Sequence, residues 1–186
     1  QRLFGRSIQA SVQKAIELRK RLREVRIRDI HDVEAMAHLD EESRHILLGP
    51  SIVADAFIGE VFRLNGKRGM LKAALTSLAL EADGILVSPG DAGHSHRHAE
   101  QPSAPRYLHW PLEFPEVFAR EEGGFDCVVA NPPFVDSETM TKTAPEVRDF
   151  IAFAYSCAQG NWDLYVPFIQ RAITISGCGG TAALIS

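Results

Sequence analysis

Cysteine is scarce in this chain. Cys127, Cys157 and Cys178 stand far apart with no CxxC pair among them. That spacing argues against a zinc ribbon and against a disulfide framework, and it fits reduced thiols in a cytoplasmic protein. No uninterrupted apolar run approaches the roughly 20 residues that span a bilayer, so no membrane partner is expected. The first residues are basic and amphipathic and lack the apolar stretch of a signal peptide. The composition, 45% hydrophobic and 24% charged, is that of an ordinary globular domain and speaks against disorder. The 186 residues suffice for one core. The chain opens on Gln1 rather than Met, which reads as a piece of a longer protein.

Acidic residues are sparse near the N-terminus. Residues 1–28 hold nine Lys or Arg against two acids, a net +7, so the rest of a chain at −4 overall carries −11. An enzyme acting on nucleic acid needs cations for phosphates, and only this first segment could supply a basic track. A solvated helix face accounts for the same charges.

Ile8, Val12, Ala15, Leu18, Leu22 and Val25 recur at steps of three and four, predicting an amphipathic helix over about 7–28. A second helix is expected over 31–48, opening near Asp29 and stopping at Gly49-Pro50. Ser51 would cap a third, interrupted at Gly66 and Gly69, with 70–82 helical again. Residues 1–87 thus read as a helical layer. Residues 88–106, rich in Pro, Gly, Ser and His, read as a flexible loop. The alternating His94, His96 and His98 could meet a metal from an extended chain, but no carboxylate-and-histidine framework completes such a site, so no metal is expected.

Residues 107–186 have a different character. The aromatic and proline-rich segment 107–118 suits a buried crossing. FDCVVA, 125–130, suits a strand covered on both faces, as in a parallel sheet. Helices are expected over 145–158 and 163–176, the latter with an apolar stripe of Leu164, Phe168, Ala172 and Ile175. Gly177 to Gly180 read as a break, and TAALIS, 181–186, as another buried strand. Asp163 reads as a helix cap, Tyr165 as a packing residue, and Trp110 and Trp162 as core. The alternation predicts an α/β doubly wound sheet.

The chemistry concentrates in Asn131-Pro132-Pro133-Phe134. Ligands of open α/β sheets bind at the carboxyl ends of strands, where Asn131 falls. Two successive prolines fix two torsions and remove two amide donors. Nearby carbonyls then stay available as acceptors, and the Asn side chain adds another. Phe134 offers a flat apolar face beside them. A stiff acceptor pair next to a ring suits the amine and face of a nucleobase. A turn after a strand, with Phe134 in the core, is the structural alternative.

This segment resembles the (D/N/S)PP(Y/F) signature of amino-methyltransferases. Its NPPF form is typical of S-adenosylmethionine-dependent enzymes that methylate the exocyclic amine of adenine in DNA. HWPLEFPEVF (109–118), GGFDCVVANPPF (123–134) and NWDLYVPFIQRAITISGCGGTAALIS (161–186) are similar to the methyltransferase region of large type II restriction–modification enzymes. The resemblance covers about 107–186. It implies a partial Rossmann-like class I methyltransferase sheet behind an N-terminal helical layer, with double-stranded DNA as partner. It also implies roles. The Asn131 side-chain oxygen and the Pro132 carbonyl accept hydrogen bonds from the target amine. Phe134 stacks on an adenine flipped out of the duplex, and Pro133 completes the substrate side with Asn131 and Phe134.

The family's glycine-rich cofactor loop is not found, and Phe4-Gly5-Arg6-Ser7 does not reproduce it. That loop is expected upstream of Gln1. The chain alone is then expected to bind S-adenosylmethionine weakly, to leave its cofactor-binding residues undefined, and to self-associate through an open sheet edge. Alternatives are a methyltransferase acting on protein glutamine or RNA, whose motifs also include NPPY or NPPF, and a non-catalytic scaffold.

Overall fold

A computed structural model describes residues 3–64, 68–88 and 107–185. His94, His96 and His98, with most of the segment read as a loop, lie outside the described residues. In chain order the elements are α1 (Leu3–Glu24), α2 (Ile30–Leu64), α3 (Arg68–Val87), α4 (Trp110–Glu113), α5 (Pro115–Phe118), β1 (Phe125–Ala130), α6 (Ser137–Thr143), α7 (Pro145–Ala154), α8 (Tyr165–Ile175) and β2 (Ser176–Leu184). They divide into two compact units. One comprises residues 1–60 and 68–116, the other 61–67 and 117–186.

The first unit is helical. The stripe expected on α1 turns inward at Ala15 and Leu18, joined by Ile16, and α1 packs along α3. The helix ends at Glu24 rather than near 28 because a capping box opens the next one: Asp32 accepts from the amides of Arg28 and Asp29, and Asp29 from those of His31 and Asp32. From there α2 runs 35 residues, straight through Gly49-Pro50, where a stop was expected. Proline normally drives its predecessor out of the helical region by a clash with that residue's Cβ, and Gly49 has none. Both residues are buried, as are Leu47, Val53 and Ala56, so packing offsets the lost backbone hydrogen bond. Ser51 is accordingly helix interior, not a cap. Val53 and Ala56 of α2 meet Leu78, Ala82 and Ile85 of α3 in the core. The expectation of no near-spanning segment is amended: α2 holds an 18-residue window long and apolar enough to cross a membrane. Its inward residues here are core packing, and Asp55 within that window binds His109 at 2.7 Å.

The segment 107–118 is not a buried crossing. It forms two single-turn helices whose one fully buried residue is Pro115. Side-chain bonds tie 107–116 to the helical unit. Arg19 donates to the Glu113 carbonyl, to Glu116 at 3.3 Å and to the buried Ser43 hydroxyl at 3.0 Å, and Arg23 reaches Glu116 at 2.6 Å. Burial, and then the charge of Asp55, push the Tyr107 hydroxyl above its ordinary range. Trp110 is half-buried and stacks on Phe114 rather than filling a core.

The second unit holds the sheet. Strands β1 and β2 pair in parallel, with Cys127 opposite Thr181 and Ala130 opposite Leu184. The connection runs through α6, α7 and α8, a β-helix-β crossover of the kind parallel strands require. Neither strand is covered on both faces as expected: Val129 is 72% exposed, and Cys127 and Cys178 are exposed. Strand β2 starts at Ser176, directly after α8, so the glycine run expected as a break lies inside it. Between the pairs Phe125–Ser176 and Cys127–Thr181 the register jumps, leaving extra residues on β2. Glycine is needed there. A Cβ on Gly124 would stand 2.5 Å from the Gly177 nitrogen, and one on Gly180 2.6 Å from the Phe125 carbonyl oxygen. The run is a bulge at a close backbone approach.

Candidate active site

Strand β1 ends with the Ala130 carbonyl accepting from the Ile185 amide at 3.0 Å. The next four residues leave the sheet at its carboxyl end. Asn131, Pro133 and Phe134 are exposed, Phe134 by 65%, while Pro132 between them is fully buried. The buried ring anchors the loop from within. Among the described residues nothing donates a hydrogen bond to the Asn131 carboxamide or to the carbonyls of residues 131–134. Their oxygens are free to accept from a ligand, and the two prolines contribute no competing N–H.

The far end of the loop is clamped. Asp136 and Asp163 form an antiparallel bridge. On either side of it the Leu164 amide donates to the Val135 carbonyl at 2.8 Å and the Ser137 amide to the Trp162 carbonyl at 2.8 Å. The buried Ser137 hydroxyl donates to Asn161 Oδ1 at 3.0 Å and accepts from the Trp162 amide at 3.2 Å. Beneath, Trp162, Met140 and Ala158 form a small core that Val135 and Leu164 join. Trp162 is thus a core residue, as expected. Asp163 accepts from the Tyr165 amide at 2.9 Å, satisfying an N–H at the start of α8.

Helix α6, just past the loop, was not foreseen. Asp136 caps it, accepting from the Thr139 amide at 2.7 Å and the Thr139 hydroxyl at 2.8 Å. Those two bonds, the amide first, hold the Asp136 carboxyl below the usual carboxylate range. Helix α7 ends at Ala154, short of the expected 158. The following turn is held instead by Gln170 of α8, whose side chain accepts from the Cys157 amide at 3.1 Å. The stripe expected on α8 is buried at Ala172 and Ile175, with Pro167 in place of Phe168, which is 40% exposed.

A family model described as the Eco57I restriction-modification methylase matches residues 86–186, more than half of the chain. The chain belongs to the Eco57I restriction-modification methylase family. The match contains the whole Asn131–Phe134 loop, its clamp and both strands, while α1, α2 and most of α3 lie outside it. The type II methyltransferase M.PaeR7I of Pseudomonas aeruginosa is 34% identical over 76 residues, 41% of this chain. This chain spans 13% of that relative's length. No solved structure matches.

The described residues thus supply acceptors and a ring at the end of β1. Tyr165, read from the sequence as packing, is half-buried with its ring parallel to that of Phe134. Nothing in the spacing of apolar residues marks that pairing, because it arises from the bridge between two distant segments.

Proposed function

We propose that this chain forms the base-binding part of a DNA adenine methyltransferase of a restriction–modification system, acting on double-stranded DNA in the cytoplasm. The observation that supports this reading is the unpartnered oxygens of the Asn131–Pro133 segment beside the exposed Phe134 ring. The Asn131 carboxamide oxygen and the Pro132 carbonyl accept from the exocyclic amine of an adenine and fix the direction of its nitrogen lone pair. Phe134 stacks on the base once it has left the duplex. Unstacking costs a few kcal/mol, and a base–aromatic stack offsets about 1–3 kcal/mol of it. Asn131 to Phe134 hold no nucleophile, so the chain's contribution is positioning without a covalent enzyme intermediate. S-adenosylmethionine, the donor this family implies, would supply an electrophilic methyl carbon. The sheet is read as part of a Rossmann-like domain.

The test uses the full-length protein carrying Asn131→Ala, with labelled cofactor and with DNA, RNA and protein offered in parallel. Label is expected in DNA as N6-methyladenine, reduced about 100-fold or more in the variant, as when one oriented polar group is removed from an active site. The unfolding midpoint should not move, because Asn131 is exposed and makes no hydrogen bond. Full activity of the variant, or label in RNA or protein alone, would overturn the reading.

A further inference from the structure

We propose that Tyr165 is a second aromatic contact for the flipped base, acting as a pair with Phe134. The inference rests on the base-binding reading above and adds a residue to that site. The Asp136–Asp163 bridge sets the register of two antiparallel segments. Just past the bridge Leu164 turns into the helical region, φ −57° and ψ −26°, and Tyr165 opens α8, which sets its ring beside Phe134. The burial agrees: Val135 and Leu164 pack on Trp162, while Phe134 is exposed and Tyr165 half-buried.

The two rings lie within 7° of parallel with centroids 6.5 Å apart. Atoms in van der Waals contact stand about 3.5–4.0 Å apart, so rings at this spacing do not cover each other's faces fully. A flat ligand lying parallel to Phe134 is then parallel to Tyr165 as well, so the two rings present a base with one common orientation. The Phe118–Phe125 pair, at the start of β1, shows the contrast. Its rings cross at 88°, an edge-to-face packing that no single plane could stack on. The position of Tyr165 is built rather than incidental. Its amide is held by Asp163, its predecessor by the Val135 carbonyl, and the strand-like pairing by the Ser137–Asn161–Trp162 hydrogen bonds.

The experiment compares full-length enzyme carrying Tyr165→Ala, Tyr165→Phe or Phe134→Ala. The DNA is a duplex containing the site identified by sequencing methylated DNA, and a second duplex abasic at the target position. Tyr165→Ala should lower kcat/KM for methylation about 10-fold, and Tyr165→Phe should restore it, since the ring and not the hydroxyl makes the contact. Affinity for the abasic duplex should be unchanged in both, because no base remains to stack. An equal loss of affinity for the abasic duplex would assign Tyr165 a purely structural role and overturn the proposal. Wild-type kinetics in Tyr165→Ala with a loss in Phe134→Ala would overturn it while leaving the base-binding loop standing. Wild-type kinetics in both alanine variants would remove the base-binding reading as well.

Discussion

Each of the two units is held together internally, and the means differ. In the helical unit apolar stripes meet, and charged side chains tie 107–116 to the helices: Arg19 and Arg23 to Glu116, His109 to Asp55. In the sheet-containing unit the core is small, and backbone pairing does the equivalent work, through β1 with β2 and through the short bridge between Val135–Ser137 and Trp162–Leu164. A backbone-anchored loop leaves Asn131 and Phe134 facing solvent while held by hydrogen bonds at both ends, and the proposed site lies there.

That contrast can be broken by experiment. The largest effect is expected at Trp162. Trp162→Ala should lower stability by about 3–5 kcal/mol and also abolish methyl transfer in the full-length protein, because Val135 and Leu164 lose their support. Ile85→Ala, in the helical core, should lower stability by about 2–5 kcal/mol yet leave kcat of the folded fraction unchanged. Chemical denaturation with active-site-normalised kinetics reads both, and an equal fall in kcat would erase the distinction drawn here. A smaller effect is expected in the sheet. Gly124→Ala should lose about 1–3 kcal/mol, through its φ of +135° and the clash with Gly177, whereas Gly160→Ala, with open space around it, should lose nearer 1 kcal/mol. Thermal melts of the two would sit together if the close approach of the strands were not real.

The smallest effect is a pH dependence. The Asp136 carboxyl is held below its ordinary value, so its contribution to α6 is complete above the usual Asp range and lost as pH falls through the lowered value. Melting temperature followed from neutral pH into acid should fall less steeply in Asp136→Asn than in the native protein. Parallel curves would show that the cap contributes nothing through its charge.

Some of this was legible in the residues. The three-and-four spacing of α1, the short apolar run of β1 and the abrupt Asn131-Pro132-Pro133-Phe134 after it all follow from local pattern. So does the opening of α2, because Asp29 and Asp32 cap within one turn. Other features depend on distant partners. Gly49-Pro50 reads as a stop and is overruled by burial on both sides. The glycine run at 177–180 reads as a break because the strand that demands it, β1, lies some fifty residues earlier. Helix α6 has only Met140 as a buried apolar residue, so periodicity could not show it, although Asp136 with Glu138 in the first turn and Lys142 in the last carried a capping signal. Tyr165 lies beside Phe134 only because Asp136 and Asp163 pair.

Helix α8 passes into β2 without an intervening residue, Ile175 ending one and Ser176 beginning the other. The ring at one end of that helix and the strand at the other are therefore geared, with no slack to absorb a change in length. Each residue added within α8 would turn Tyr165 about 100° around the axis relative to the sheet, so the length of this stretch is as constrained as its composition.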